Sequence, residues 1–194
     1  MSGGVGASIK KLWSWFWQPS ARYALGFLLI VGVVVGGGGV IAFSMAISHT
    51  NTTEFCTGCH EMADPPLKEY QKTPHYSNRT GVRVTCPDCH VPHSGFPMLV
   101  AKLKASNDVL HTILGTIDTP EKFEAHRLEM AEGVWAKMKA TDSRECRSCH
   151  KFEAMDYELQ DNRAAKKHQK ASAENGTCID CHKGIAHKRP SAAD

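Results

Sequence analysis

All eight cysteines of this 194-residue chain fall into one pattern used four times: Cys56-Thr-Gly-Cys59-His60, Cys86-Pro-Asp-Cys89-His90, Cys146-Arg-Ser-Cys149-His150 and Cys178-Ile-Asp-Cys181-His182. No thiol is left over for a disulfide. Two thiols with an adjacent His suit covalent attachment of c-type haem: the sulfurs bond to the porphyrin, and the imidazole is placed to ligate the iron. Paired Cys-x-x-Cys motifs can also hold zinc, and a single one can be a redox dithiol. One copy would leave those readings open. Four copies, each with His directly after the second Cys, point to four covalently bound haem c groups. Porphyrins in that number supply much of a small domain's core, so a conventional hydrophobic core is unnecessary.

The spacing itself repeats. The first cysteines of successive motifs lie 30 residues apart in one half (56 to 86) and 32 in the other (146 to 178). Each half has a His between its motifs, His75 and His168, and another soon after its second motif, His93 and His187. These four are candidates for the sixth iron positions, opposite the motif residues His60, His90, His150 and His182. His93 is only three residues from His90 and must ligate a different haem, so some distal ligands are expected to cross between halves. His49, His111 and His126 have no counterpart in the repeat and read as ordinary side chains, His111 lying near the membrane.

Charge divides the chain in two. No acidic residue occurs before Glu54, and the basic residues there are Lys10, Lys11 and Arg22; residues 54–194 balance at 20 basic and 20 acidic. That evenness argues against a nucleic-acid binder. Residues Ala24–Ile47 are apolar apart from Ser44. As a helix they would extend about 36 Å, enough for hydrocarbon roughly 30 Å thick. The apolar core of a cleaved signal peptide is shorter, about 7–15 residues. The positive flank places the N-terminus in the cytoplasm and residues 49–194 outside; attachment of c-type haem outside the bacterial cytoplasm fits a single-pass bacterial inner-membrane protein. Trp13, Trp15, Phe16 and Trp17 suit the headgroup zone. Gly32 and Gly36 form a GxxxG pair, which serves equally as a helix-pairing face or as a pliable stretch of span. The expected organisation is a cytoplasmic segment 1–22, a transmembrane helix 23–48 and a haem domain 49–194 with halves of about 49–118 and 119–194.

After residue 54 no strand-like alternation appears. Thr119 followed by Pro120 reads as an N-cap with Pro at the first helical position. The helix Pro120–Ala140 would link the halves. The fold class is therefore mostly α: one N-terminal transmembrane helix plus a small haem-packed multihaem cytochrome c domain.

Several strings beyond the motifs carry a resemblance: Glu69-Tyr70 with Thr73 and His75-Tyr76, Gly81-Val82-Arg83, Cys89-His90-Val91-Pro92, Ile117-Asp118-Thr119 with Glu121-Lys122-Phe123-Glu124, Val134-Trp135, and Cys178 through His187. With them the chain resembles the NapC/NirT family of membrane-anchored tetrahaem quinol dehydrogenases, from the anchor to His187. The resemblance implies a periplasmic tetrahaem domain, a menaquinol or ubiquinol donor and a periplasmic redox partner, of the nitrate-reductase type. In a related nitrite-reductase partner subunit, a Met two residues after the first motif's His takes the proximal position. The matching residue here is Met62, so either His60 or Met62 is the ligand. The family's quinol site lies beside the first haem and uses a Lys and an Asp, matched by Lys102 and Asp108, with Lys104 the runner-up.

Quinol oxidation releases two protons, so a carboxylate such as Asp108 can accept one, while the Lys102 cation orients an oxygen and stabilises developing negative charge. On one straight helix their i, i+6 spacing would separate them, which predicts a kink or loop near Ser106-Asn107. Haem propionates would make the balanced domain net acidic, by about −4 to −8. Partner docking would be weak and salt-sensitive. Two other classes compete: a terminal reductase of nitrite or a similar small oxidant, and a passive tether for another redox protein. A donor to nitrite reductase is a variant of the leading reading.

Overall fold

The computed structural model describes residues 4–17, 19 and 22–191. Of the N-terminal segment 1–22, residues 1–3, 18, 20 and 21 lie outside the described ones. The chain divides into two compact units, Met1–Ser48 and His49–Asp194.

In the first unit, α1 spans Gly4–Phe16, a helix the sequence reading did not assign. Ile9, Leu12 and Trp13 fall on one side and Lys10, Lys11 and Ser14 on the others. Trp13 meets Trp17 edge-on at 5.8 Å. The second helix, α2, spans Leu25–His49, and none of its side chains is buried against protein. Its 25 residues extend about 37 Å, and an all-round apolar helix with no protein cover needs an apolar solvent. Gly36–Gly39 stay inside this one uninterrupted helix, as expected where lipid offers the backbone no competing partner.

Among the described residues the second unit has no strand. Its three long helices are α3, Gly95–Ile113, α4, Pro120–Ala140, and α5, Asn162–Ala173. The α4 helix has the start read from the sequence, with Thr119 Oγ1 accepting from the Lys122 N–H at 3.3 Å and Pro120 at its first position. Asp161 caps α5 by accepting from the N–H groups of Arg163 and Ala164. The expected kink near Ser106-Asn107 is absent: α3 runs unbroken through both, because neither residue removes a backbone hydrogen bond.

The motifs lie on short turns, at Thr53–Cys56, Cys86–His90, Arg144–Arg147 and Cys178–Asp180. Four hydrophobic core side chains are buried among the described residues, Tyr70, Ile117, Phe123 and Ile179. Polypeptide packing of that size cannot by itself offset the chain entropy of such a unit. A bulky apolar group bound among the helices would.

Candidate functional site

Two motif turns are built alike. Asp88 Oδ2 accepts from both the N–H and the hydroxyl of Thr85, each at 2.6 Å, and the Thr177 hydroxyl donates to Asp180 Oδ2 at 2.8 Å. The pattern Thr-Cys-x-Asp-Cys-His at 85–90 and 177–182 is the sequence signal of this shared turn. Buried Ser143 accepts from the Ile179 N–H at 3.2 Å, tying the turn of the fourth motif to the approach to the third. Gly184 turns the chain toward His187 with φ +79°, and a Cβ there would meet Arg189 Cγ at 2.6 Å.

Three of the four motif histidines face a second imidazole. Ring centroids are 6.2 Å apart for His75–His150, 6.2 Å for His90–His187 and 5.8 Å for His168–His182. In the last pair the two Nε2 atoms lie 3.5 Å apart. One metal ion between two imidazoles needs two bonds of about 2.0–2.1 Å, hence nitrogens roughly 4 Å and ring centres roughly 6 Å apart. The His168 Nδ1–H donates to Gln160 Oε1 at 2.6 Å, which turns Nε2 toward His182. Burial, more than the facing imidazole, lowers the pKa of His75 and of His90, and burial lowers that of His187. The His90 ring is crowded by protein although the residue keeps an open surface. Lowered values favour the neutral imidazole that binds metal.

The donor set discriminates between cofactors. No group of three or more His, Cys, Asp or Glu converges as a metal site among the described residues, whereas zinc needs three or four protein ligands. Paired imidazoles beside free cysteines fit a metal whose other four ligands come from a porphyrin. Burial raises the Cys56, Cys86 and Cys146 thiols, and takes Cys89 up to about 11. A reactive redox dithiol has a depressed pKa instead. The residues fit haem c.

Side chains of the strings singled out above position His75 and His187. Buried Tyr70 donates its hydroxyl to the Val84 carbonyl and packs edge-on against Tyr76 at 5.3 Å; the Val84 N–H donates to the His75 carbonyl at 2.9 Å. Arg83 stands over the Tyr76 ring at 4.1 Å. At His187 the holding group is ionic. Arg127, 7% exposed, donates twice to Glu69 at 2.9 Å, twice to Glu124 at 2.8 and 2.6 Å, and to the Lys188 carbonyl at 3.2 Å. Glu69 also accepts from the Lys188 N–H at 2.9 Å. The residue after His187 is thus gripped at both backbone groups.

His93 lies elsewhere. Its Nε2 is 3.2 Å from Ser148 Oγ, inside the third motif, and no motif imidazole is paired with it among the described residues. The first motif also differs from the other three. No second imidazole is paired with His60 among the described residues; its neighbour Glu61 is buried, with a carboxylate 3.5 Å from His60 Nε2 and no hydrogen-bond partner. Met62 is half-buried beside them.

Lys102 and Asp108 both stand on α3, but six residues are 600° of helix, so they point about 120° apart. Lys102 donates to the carbonyl and hydroxyl of Thr50 at 3.1 and 2.8 Å. Burial and then Cys86 raise the Cys56 thiol, and the Lys102 ammonium opposes them. Burial raises the Asp108 carboxyl above its ordinary value, although the residue's surface is open, and His111 opposes that rise. Lys104 and His111 share the Asp108 side of the helix.

The family model described as "NapC/NirT cytochrome c family, N-terminal region" matches residues 18–192. The chain is 52% identical over 185 residues to cytochrome c-type protein NapC of Escherichia coli (strain K12), covering 94% of this chain and 90% of that protein. It is 51% identical over 192 residues to denitrification system component NirT of Stutzerimonas stutzeri, covering 97% and 90%. Cytochrome c-type protein TorC of Escherichia coli (strain K12) is 46% identical over 183 residues, 94% of this chain but 47% of that longer protein. No solved structure matches.

Proposed function

The chain belongs to the NapC/NirT cytochrome c family, a membrane-anchored cytochrome with covalently bound haem c, and from that premise we propose that it oxidises membrane quinol and passes the electrons through four haems to a periplasmic reductase. The observation that carries the quinol reading is the position of Lys102. Its ammonium is held by Thr50, the residue after the end of α2, and acts on Cys56 of the first motif. Within the His49–Asp194 unit one cation therefore stands between Thr50 and the first haem attachment motif.

The outer surface of α3 supports the same reading. Phe96, Leu103 and Leu110 recur every seven residues and are 77, 74 and 49% exposed, an apolar stripe suited to the membrane surface, where quinol resides. When bound, haem c supplies one-electron carriers, so the two electrons of a quinol leave singly. The protein groups manage oxygens and protons. Lys102 orients one quinol oxygen and stabilises the negative charge that grows as its proton departs. Asp108, whose raised pKa improves it as a proton acceptor, takes a proton. Standing 120° apart around α3, the two serve different oxygens of one ring. His75 with His150, His168 with His182 and His187 with His90 would hold three of the haem irons between them. At the first motif either His60 or Met62 would hold the haem iron.

The N-terminus is cytoplasmic and the His49–Asp194 unit periplasmic, by the positive flank of α2. A nitrate-reductase-type acceptor follows from the family resemblance, and the NirT relative is by its name a denitrification component. Anaerobic mixing of the haem-loaded protein with a soluble menaquinol analogue tests the reading. The expected result is haem reduction without added protein and no nitrite consumption. Reduction by dithionite alone, or nitrite turnover, would refute it.

A further inference from the structure

Charge in the His49–Asp194 unit is balanced overall but not locally. Residues 162–191 hold seven lysines and arginines against two carboxylates, Glu174 and Asp180, and Asp180 is paired with Lys139 at 2.8 Å. Four of the cations, Arg163, Lys166, Lys167 and Lys170, stand on α5 at i, i+3, i+4 and i+7. At 100° per residue they fill one arc of about 100°. All four are exposed. Lys170 approaches Glu174 only to 3.8 Å, with both side chains about two-thirds exposed; Arg163, Lys166 and Lys167 have no carboxylate partner among the described residues.

The other side of α5 faces inward. Ala164, Ala165, His168 and Ala171 are half-buried, and His168 meets His182 of the fourth motif. Cations that neutralise a haem's own carboxylates belong on that inward side. The arc of four points away from it.

We propose that this cationic face of α5 is the docking surface for an acidic redox protein, which takes electrons beside the fourth motif; the proposal rests on the electron-conduit reading above. A partner seated on α5 would lie about one helix diameter, 10–12 Å, from the His168–His182 pair. An anionic lipid surface is the weaker occupant. Interfacial helices bury Trp, Phe or Leu, and the apolar residues of α5 are all alanines. Contact through charge alone gives fast, weak, salt-sensitive encounters, as electron transfer between proteins requires.

The test uses the full haem-loaded chain, reduced by dithionite and mixed in stopped flow with oxidised plastocyanin, an acidic blue-copper protein. One electron leaves the cytochrome and converts Cu(II) to Cu(I); no proton moves. In K166E/K167E the second-order rate at low salt should fall about tenfold or more, and the difference from wild type should vanish near 0.5 M salt. K166Q/K167Q should lie between, and basic mitochondrial cytochrome c should show the reverse order. Equal low-salt rates for wild type and K166E/K167E would overturn the proposal. So would loss of binding to phosphatidylglycerol vesicles with plastocyanin rates unchanged, which would assign the face to lipid. Failure of the wild type to accept electrons from a quinol analogue strikes the conduit reading alone, since dithionite still drives this assay.

Discussion

Replacing Arg127 by Met should destabilise the haem domain by about 3–5 kcal/mol, the cost of breaking a buried ion pair by removing one partner. The Arg127 side chain is 8% exposed and that of Glu69 is 19% exposed, so the carboxylate left behind keeps only the Lys188 N–H and little water. The second pair contributes less. Glu124 is 52% exposed, which places it with surface ion pairs worth about 0–1 kcal/mol. Against a total stability of about 5–15 kcal/mol, the loss should lower the unfolding midpoint by roughly 10 °C.

The loss should also be localised. Arg127 and Glu69 grip Lys188, so His187 should loosen first, and the haem proposed to be held by His90 and His187 should gain high-spin character. Guanidinium unfolding followed by far-UV CD gives the global term, and low-spin EPR gives the local one. R127K keeps the charge but loses the planar fork that engages two carboxylates, and should fall between. In E69Q/R127M no buried charge is left unpaired, so it should recover part of the loss. A change below 1 kcal/mol in R127M, or spin-state loss at the His75–His150 haem instead, would refute this account.

Three further outcomes follow from the site. Pyridine haemochrome analysis should count four haems in the wild type and three in C178A; a wild-type count of two or three would break the reading of the repeat. H75A, H168A and H187A should each convert one low-spin haem to high-spin by EPR, while H93A should leave those three signals intact; unchanged spectra in H187A would remove that residue as a ligand. K102A and D108N should keep dithionite reduction but lose about 10²-fold or more in reduction by a quinol analogue, and wild-type rates in both would move the site to Lys104 or His111. The Asp108 pKa is raised, so only the ionised form accepts a proton and wild-type rates should climb with pH through that raised value. A raised folded pKa also means that ionisation works against the fold above it, so D108N should not lower stability at neutral pH.

What the sequence could reveal was local. The apolar span, the four motifs and α4 with its Thr119 cap each depend on residues within a turn or two of one another. The repeat singles out His75, His93, His168 and His187 because spacing alone marks them, yet His93 meets Ser148 and no motif imidazole among the described residues. Which imidazole each would meet was not legible: His75 and His150 are brought together across α3 and α4, and His90 and His187 across most of the unit. Arg127 looked like one more charge on an ordinary helix until Glu69 and Lys188 arrived from distant segments. Lys102 and Asp108 illustrate the opposite failure. A kink was expected because function wanted the two side by side, yet nothing in Ser106-Asn107 breaks a helix, and the helix continued.

Those pairings bear on how the haem domain holds together. Only the His168–His182 pair is internal to one half of the repeat. His75 of the first half faces the third motif in the second, and His187 of the second half faces the second motif in the first. On the proposed ligation each half would complete a metal site in the other, and the Arg127–Glu69 pair joins the halves at the same place. Polar contacts join the halves as well, His93 with Ser148 and Lys137 with the His90 carbonyl, while the hydrophobic core is small. Ligation and chain packing thus act across the same boundary, so removing one cross-half ligand weakens both halves at once. Removing His168 is confined to one. Of the three distal substitutions, H168A should accordingly be the mildest in stability even though all three cost one low-spin haem.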